Sequence, residues 1–222
     1  MLKRIVWQVA LATVMMASPA LAQEKRVEVS ATFGWTFSDG VDGQAIATPS
    51  GVFDRIDPKD SFNWGLGIGF LTTENAEVGF LFGQQLTTLQ AAGTSTVDIG
   101  DTTVSTYHGY FGYNWGDSGA AARPYAFIGL GATNYGGLDY TRANGQSGTI
   151  GSETQFSTTW GAGVKFFPSP SVGAKVGIQW TPTYIKSDAA GYWCDPYWGC
   201  YMVGDAQYSN QWSINGGVVF RF

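Results

Sequence analysis

Apolar residues alternate with small or polar ones along most of this chain, with a period of two. From Val27 to Phe37 every second residue is apolar, whereas the residues between them are Glu28, Ser30, Thr32, Gly34 and Thr36. Successive side chains of a β-strand point to opposite faces, so this period predicts a long strand with one apolar face. A chain built from such segments is predicted to be all-β.

Seven further segments repeat the pattern, which brings the predicted strands to eight. Their apolar faces begin at Phe62, Val78, Tyr107, Ala126, Phe156, Val172 and Tyr208. The stretch from Arg123 to Tyr135 is ambiguous, because Tyr125 and Phe127 lie on its second face. The sequence therefore does not decide which face of this predicted strand points toward lipid.

The connections between these segments alternate in length. Long or mid-length connections are predicted at 39–60, 89–101, 138–152 and 187–207, and short ones at 72–75, 116–122 and 167–170. Alternating long and short ends around an even number of strands are typical of an up-and-down barrel. The predicted fold is an eight-stranded antiparallel up-and-down transmembrane β-barrel.

A soluble, lipocalin-like barrel is the alternative, with its apolar face inside. Only 13% of the residues are charged, whereas 44% are hydrophobic and 15% aromatic. The predicted polar faces consist mostly of Gly, Ser, Thr, Asn and Gln, and a water-facing exterior would carry more Lys and Glu. Aromatic residues crowd the strand ends, where membrane-interface girdles lie. The pattern favours the membrane barrel, and a net charge of −5 argues against a nucleic-acid partner.

The first 22 residues are predicted to be a cleaved secretory signal peptide. Lys3 and Arg4 precede an apolar stretch that ends before the small-residue site Ala20-Leu21-Ala22. A retained membrane anchor is the other interpretation, but the apolar run is short for a span. The expected organisation is therefore a signal peptide at 1–22 and a barrel domain at 23–222.

The last residues, Val218-Val219-Phe220-Arg221-Phe222, form an alternating segment closed by a terminal Phe. Together with the leader and the eight segments, this resembles bacterial outer-membrane β-barrels of the outer membrane protein A-like class, in particular small free-standing members without a peptidoglycan-binding domain. The resemblance implies a Gram-negative-type outer membrane, with Phe220 and Phe222 as a signal for the barrel-assembly machinery. The partners expected are outer-membrane lipid, lipopolysaccharide and periplasmic chaperones, and the protein is expected to be a monomer.

Isolated charged residues on the polar faces are predicted to meet inside the barrel. They are Glu28, Glu77, Lys165, Lys175 and Arg221, with His108 as a hydrogen-bonded neighbour. Because isolated buried charges are costly, we expect them to pair, and the lumen of eight strands is only wide enough for side chains. They form either an ion-pair plug or a narrow, gated ion path.

Cys194 and Cys200 lie in the last long connection and are predicted to form a disulfide. An Asp-Pro turn and Gly199 between them let the chain fold back, and exported proteins meet an oxidising compartment. A metal site would need more ligands than the two cysteines, and no His lies nearby. The nearby Trp and Tyr residues form either a binding epitope or a cover on the barrel rim.

The sequence is compatible with two functions. One is a non-enzymatic envelope scaffold that displays outer loops for structural, recognition or adhesion roles. The other is a small porin-like channel for ions or small solutes. We expect no catalytic residues, because the H-x-S pattern that a lipid-modifying barrel would use is not present at His108, and we expect no metal or cofactor.

Overall fold

The computed structural model describes residues 26–48, 51–141, 147–185, 194–195, 199–200 and 207–222. The predicted signal peptide at 1–22 lies outside these ranges. The strands are β1 (Val27–Ser38), β2 (Val41–Thr48), β3 (Gly51–Pro58), β4 (Ser61–Leu71), β5 (Ala76–Gly93), β6 (Thr96–Asn114), β7 (Ala122–Tyr135), β8 (Leu138–Thr141), β9 (Ser147–Ile150), β10 (Glu153–Phe166), β11 (Val172–Ile185), β12 (Cys194–Asp195), β13 (Gly199–Cys200) and β14 (Gln207–Arg221).

Eight of these strands close into an antiparallel barrel. Going round it, the order is β1, β4, β5, β6, β7, β10, β11 and β14, and β14 pairs with β1 to close the ring. The β2–β3, β8–β9 and β12–β13 pairs lie outside the barrel. Without them, each barrel strand pairs with the barrel strands that precede and follow it in the chain. The predicted eight-stranded up-and-down barrel is confirmed.

The two faces of the barrel are inverted relative to a soluble protein. Outward-facing residues include Phe33, Leu130 and Ile214, whose side chains are 58%, 61% and 55% exposed. Buried positions are largely polar, and Glu28, His108 and Lys165 are among them. This distribution is that of a transmembrane barrel and excludes the lipocalin-like alternative. In the described part of the chain, no helix is long and apolar enough to cross a bilayer.

The ambiguous strand β7 places Tyr125 and Phe127 inside the barrel. Tyr125 stands opposite Gly163 and Phe127 opposite Gly161 in the β7–β10 register. A Cβ added to Gly161 would lie 2.3 Å from the Phe127 ring, so only glycine leaves room for that ring there. In this part of the lumen, two aromatic rings therefore lie over glycines on the next strand.

The two ends of the barrel differ. Residues 72–75, 115–121 and 167–171 form short connections at one end, which we call the turn end, where Arg26 and Phe222 also lie. The opposite, hairpin end carries β2–β3, the outer parts of β5 and β6, β8–β9 and β12–β13. In barrels of this kind, short turns face the periplasm and long connections face outward.

The predicted long connections join successive barrel strands at the hairpin end, and most of them also contain paired strands of their own. Strands β2 and β3 pair with each other in antiparallel fashion, and β3 pairs with the outer part of β5. Residues 89–101 extend β5 and β6 almost to their turn at Thr94 and Ser95. Together β2, β3, Leu89–Gly93 and Thr96–Asp101 make a sheet beyond the barrel, which we call the outer wall.

Candidate functional site

Four charged side chains meet inside the barrel near its turn end. We call Glu28, Glu77, Lys165 and Arg221 the inner charge cluster. Lys165 Nζ lies 2.5 Å from Glu28 Oε2 and 2.7 Å from Glu77 Oε2, so one ammonium bridges two carboxylates. Arg221 reaches Glu28 Oε1 with Nη2 at 2.6 Å and with Nε at 3.1 Å. These are four of the five charged lumen residues that the sequence predicts, and all four are buried.

Glu77 has two further partners, both on β6. Tyr110 donates its hydroxyl hydrogen to Glu77 Oε1, and Asn114 Nδ2 donates to Oε2 at 3.1 Å. Each buried carboxylate oxygen of Glu77 therefore has a donor, as a desolvated charge requires. The inner charge cluster joins β1, β5, β10 and β14 across the lumen, and Tyr110 and Asn114 connect it to β6.

Lys175 is not an ion-pair partner in this cluster, contrary to the sequence prediction that it would pair. It is the register partner of Lys165 on the neighbouring strand, so the two lysines lie side by side on the same face of the sheet. Its Nζ lies 5.4 Å from the centre of the Tyr125 ring, and the hydrogen bonds and ion pairs among the described residues give it no carboxylate. The register between β10 and β11 places Lys175 next to Lys165 rather than next to a carboxylate. The alternation of residues along a single strand does not reveal this register.

His108 lies apart from the inner charge cluster. Its Nε2 is 2.9 Å from Ser157 Oγ, and Thr133 Oγ1 donates to the same Ser157 oxygen at 3.0 Å. Thr183 continues the chain with a bond of 3.0 Å to Thr133. All four side chains are completely buried, so His108 belongs to a layer of hydroxyl groups that ties β6, β7, β10 and β11 together.

Arg123 is a buried cation that the sequence analysis missed. It stands opposite Lys165 in the β7–β10 register, and only 1% of the surface of this residue is exposed. Nη2 donates to the carbonyl oxygen of Glu74 at 2.8 Å, to Asn75 Oδ1 at 2.9 Å and to the Gly116 carbonyl at 3.2 Å. The signal was present, because Arg123 shares a face with Tyr125, but the phase of β7 was undecided.

Amide side chains close the lumen toward the hairpin end. Gln85 Nε2 donates to Lys59 O at 3.0 Å and to Ser61 Oγ at 2.9 Å, while its Oε1 accepts from Gln211 at 2.7 Å. Beyond them lies a buried apolar cluster formed by Val41, Val104, Tyr135 and Ile185. Apolar side chains thus cover the outer mouth, and hydrogen-bonded side chains fill the passage beneath them.

The cavities that remain inside the barrel are small. One of about 80 Å³ lies between the amide layer and Tyr125, and another of about 20 Å³ lies beside Tyr110 and Lys165. A cavity of the larger size holds a few water molecules. A third cavity, of about 390 Å³, lies at the turn end and is lined by the short connections.

The predicted disulfide depends on the side chains of Cys194 and Cys200, which lie outside the part of the structure that is described. The backbone positions are described, and the two cysteines are direct partners across the β12–β13 ladder. Directly opposed residues on antiparallel strands have Cβ atoms about 4.5–5.5 Å apart. The pairing of Cys194 with Cys200 stays a prediction, as does the role of the aromatic residues around it.

Phe220 and Phe222 lie at the end of the closing strand and face outward. Their side chains are 40% and 67% exposed, and Phe220 has Val29 on one side and Val172 on the other. The backbone of Phe222 exchanges hydrogen bonds with Val27, which fixes the seam between β1 and β14. Their recognition by the assembly machinery stays a prediction from the resemblance.

Ion pairs and carboxylate hydrogen bonds hold the outer wall together. Lys59 Nζ lies 2.6 Å from Asp98 Oδ1, Arg55 donates to Asp39, and Gln90 Nε2 donates to Asp57 at 2.8 Å. Beneath them, Phe53, Ile56, Leu89 and Ala91 are buried. Across the described ranges, no three His, Cys, Asp or Glu side chains gather closely enough to hold a metal ion.

Comparison with known families decides what this barrel is. The model of the outer membrane protein beta-barrel domain matches residues 9–222. The chain belongs to this family. Membership places it in the outer membrane of Gram-negative bacteria and confirms the resemblance that the sequence carries. No curated protein matches the chain significantly by sequence.

Several solved structures share the fold at low sequence identity. The outer membrane protein OprG of Pseudomonas aeruginosa superposes with a TM-score of 0.59 at 11% identity, over 89% of this chain and 96% of OprG. Neisserial surface protein A gives 0.52 at 13% identity, over 88% and 97% of the two chains. AlkL, solved in lipid bilayers, gives 0.50 at 14% identity, over 92% and 95%. At these identities the likeness shows the fold alone.

Proposed function

We propose that this outer-membrane barrel is a non-enzymatic scaffold that displays its outer wall and hairpins at the cell surface for structural or recognition roles. The observation that carries the proposal is the filled lumen. Ion pairs occupy it at the turn end, hydroxyl and amide layers follow, and the Val41–Val104–Tyr135–Ile185 cluster covers the outer mouth. A lumen packed in this way favours a stable support over a conduit.

The outer wall has the properties of a displayed element. It is a four-stranded sheet with a small buried core and with ion pairs at its surface. Loops carried by a rigid barrel are the usual place for recognition in such proteins. We further propose that the protein reaches the membrane through its signal peptide, periplasmic chaperones and the barrel-assembly machinery, and that lipopolysaccharide surrounds its outer rim.

The arrangement around His108 supports a non-catalytic role. A His and a Ser at hydrogen-bond distance are the elements of a nucleophile and its base, but here both are completely buried among Thr side chains. A nucleophile must face a cavity that admits the substrate, and the neighbouring hydroxyl groups of Thr133 and Thr183 occupy that space. We propose that His108 holds strands together.

Tag insertion tests the display of the outer wall. A short epitope placed between Thr94 and Ser95 is expected to bind its antibody on intact cells, because this turn is the tip of the wall. The same epitope between Ser118 and Gly119, in a short connection at the turn end, is expected to bind only after the outer membrane is permeabilised. The opposite pattern of labelling would overturn the proposed orientation.

Shortening the wall tests whether the barrel is an independent scaffold. Gln90 and Asp98 are cross-strand partners, so a two-residue turn that replaces residues 91–97 joins them without changing the register below. We expect this variant to keep the folded, heat-modifiable band on unboiled gels. A variant that no longer folds would show that the wall is part of the barrel's own folding unit.

A further inference from the structure

The cavity at the turn end is bordered by every short connection of the barrel. Its volume is about 390 Å³, and its lining comes from Leu71, Thr73 and Glu74, from residues 118–120 and 167–170, and from Arg26, Arg123 and Arg221. Because all three connections and both terminal strands contribute, the cavity lies over the lumen rather than against the lipid. It therefore opens toward the aqueous phase on the side of the short turns.

Arg123 carries a buried positive charge, and all of its hydrogen-bond partners among the described residues are neutral groups. Its three hydrogen bonds run from Nη2 to two carbonyl oxygens and the Asn75 side chain, and its Nε has no partner. Guanidinium groups in proteins bind carboxylate or phosphate oxygens in pairs, with adjacent N–H groups acting together. Arg123 lines the cavity without such a partner among the described residues.

The surrounding charges do not balance Arg123. Arg123, Lys165 and Lys175 are register neighbours on β7, β10 and β11, and form a row of three cations. Glu28 and Glu77 face them, but Lys165 and Arg221 already bind both carboxylates. In the described part of this end of the lumen, three buried cations (Arg123, Lys165 and Arg221) and the half-buried Lys175 thus outnumber the two carboxylates Glu28 and Glu77 by two. At the rim of the cavity, Glu74 and Arg26 add one charge of each sign.

Arg221 forms a fixed part of the cavity wall. Its Nε and Nη2 are bound to Glu28, Nη1 donates to the Ser118 carbonyl at 3.4 Å, and its Cζ lies 3.9 Å from the Phe167 ring centre. Arg123, in contrast, has no hydrogen bond to a carboxylate among the described residues, and Arg26 lies at the exposed rim of the cavity. Both lie on the cavity lining.

We propose that the turn-end cavity binds a small water-soluble oxyanion, a phosphate or carboxylate, with Arg123 as its main ligand and Arg26 at its entrance. The cavity volume falls in the range of small-ligand sites and exceeds what a single inorganic ion fills. The bound anion supplies the negative charge that the row of cations lacks. Because the cavity lies on the barrel axis, its ligand comes from the periplasmic solution rather than from a lipid headgroup.

A pair of glycines provides a test that leaves the barrel intact. A Cβ added at Gly119, in the cavity lining, or at Gly151, near the hairpin end, would meet no atom within 4 Å. Both therefore accept aspartate without a clash, but only Gly119→Asp places a carboxylate in the cavity. The probes are inorganic phosphate and acetate, titrated into refolded, ¹⁵N-labelled protein in a maltoside detergent and followed by the amide signals of residues 118–123.

Saturable shifts of these signals are expected for the wild-type protein and for Gly151→Asp. Gly119→Asp is expected to weaken binding at least tenfold. Arg123→Gln should abolish binding, whereas Arg55→Gln in the outer wall removes the same charge and should leave it unchanged. The proposal is overturned if neither anion shifts the signals, or if the two aspartate variants behave alike. It is also overturned if only anionic lipid in nanodiscs produces the shift, since the site would then belong to a headgroup.

Discussion

Replacing Lys165 with methionine is expected to destabilise the barrel by about 3–5 kcal/mol, the usual cost of removing one partner from a buried ion pair. Lys165 bridges Glu28 and Glu77, and its loss leaves two carboxylates near each other in a desolvated lumen. Glu28 keeps Arg221, but Glu77 keeps only the neutral donors Tyr110 and Asn114. The measurement is urea unfolding of the refolded protein in lipid or detergent, followed by tryptophan fluorescence.

Lys175→Met is the matched control for this experiment. Lys175 is the cross-strand neighbour of Lys165, points into the same lumen, and has no carboxylate partner among the described residues. Directly opposed like charges are destabilising, so its removal is expected to change the free energy of unfolding by no more than about 1 kcal/mol. Glu77→Gln added to Lys165→Met should recover part of the lost stability. Equal losses in Lys165→Met and Lys175→Met would contradict the assigned ion pairs.

Replacing Ile128 with arginine is expected to cost about 2–4 kcal/mol, the penalty for a basic side chain on the lipid face at mid-membrane depth. Ile128 lies in the middle of β7 and faces outward, with 39% of its surface exposed. The control is Val97→Arg, since Val97 is also an outward-facing apolar residue but lies in the outer wall.

The second substitution is expected to leave stability unchanged, because water surrounds the wall. Both variants are measured by urea unfolding in lipid vesicles, with the heat-modifiable band as the check of folding. A similar loss in both would mean that the bilayer reaches the wall, and no loss in either would mean that β7 does not face lipid.

Alternation was enough to predict the barrel because the bilayer imposes it on every spanning strand. Each apolar face has to meet lipid, so the period of two survives along β1, β4 and β14 without regard to their partners. The same rule placed Glu28, Glu77, Lys165 and Arg221 inside. It did not show which of them touch, because contact depends on register and on depth in the lumen.

The parts of the molecule that the sequence did not predict have side chains that do not face lipid. Beyond the membrane, β5 and β6 continue as strands, and there no lipid fixes which face is apolar. Inside the lumen, Tyr125 and Phe127 are apolar residues on the polar face, accommodated by Gly163 and Gly161 on β10. Because that accommodation is visible only across two strands, the phase of β7 and the position of Arg123 could not be read from β7 alone.

Single-channel recording in a planar bilayer tests the filled lumen most directly. The refolded protein is first shown to be folded by its heat-modifiable band, and is then incorporated under a constant applied voltage. We expect no discrete conductance steps, because ion pairs, hydroxyl and amide layers and the apolar cluster at the outer mouth block the axis of the barrel. Reproducible steps from folded wild-type protein would contradict this account and establish the barrel as a channel.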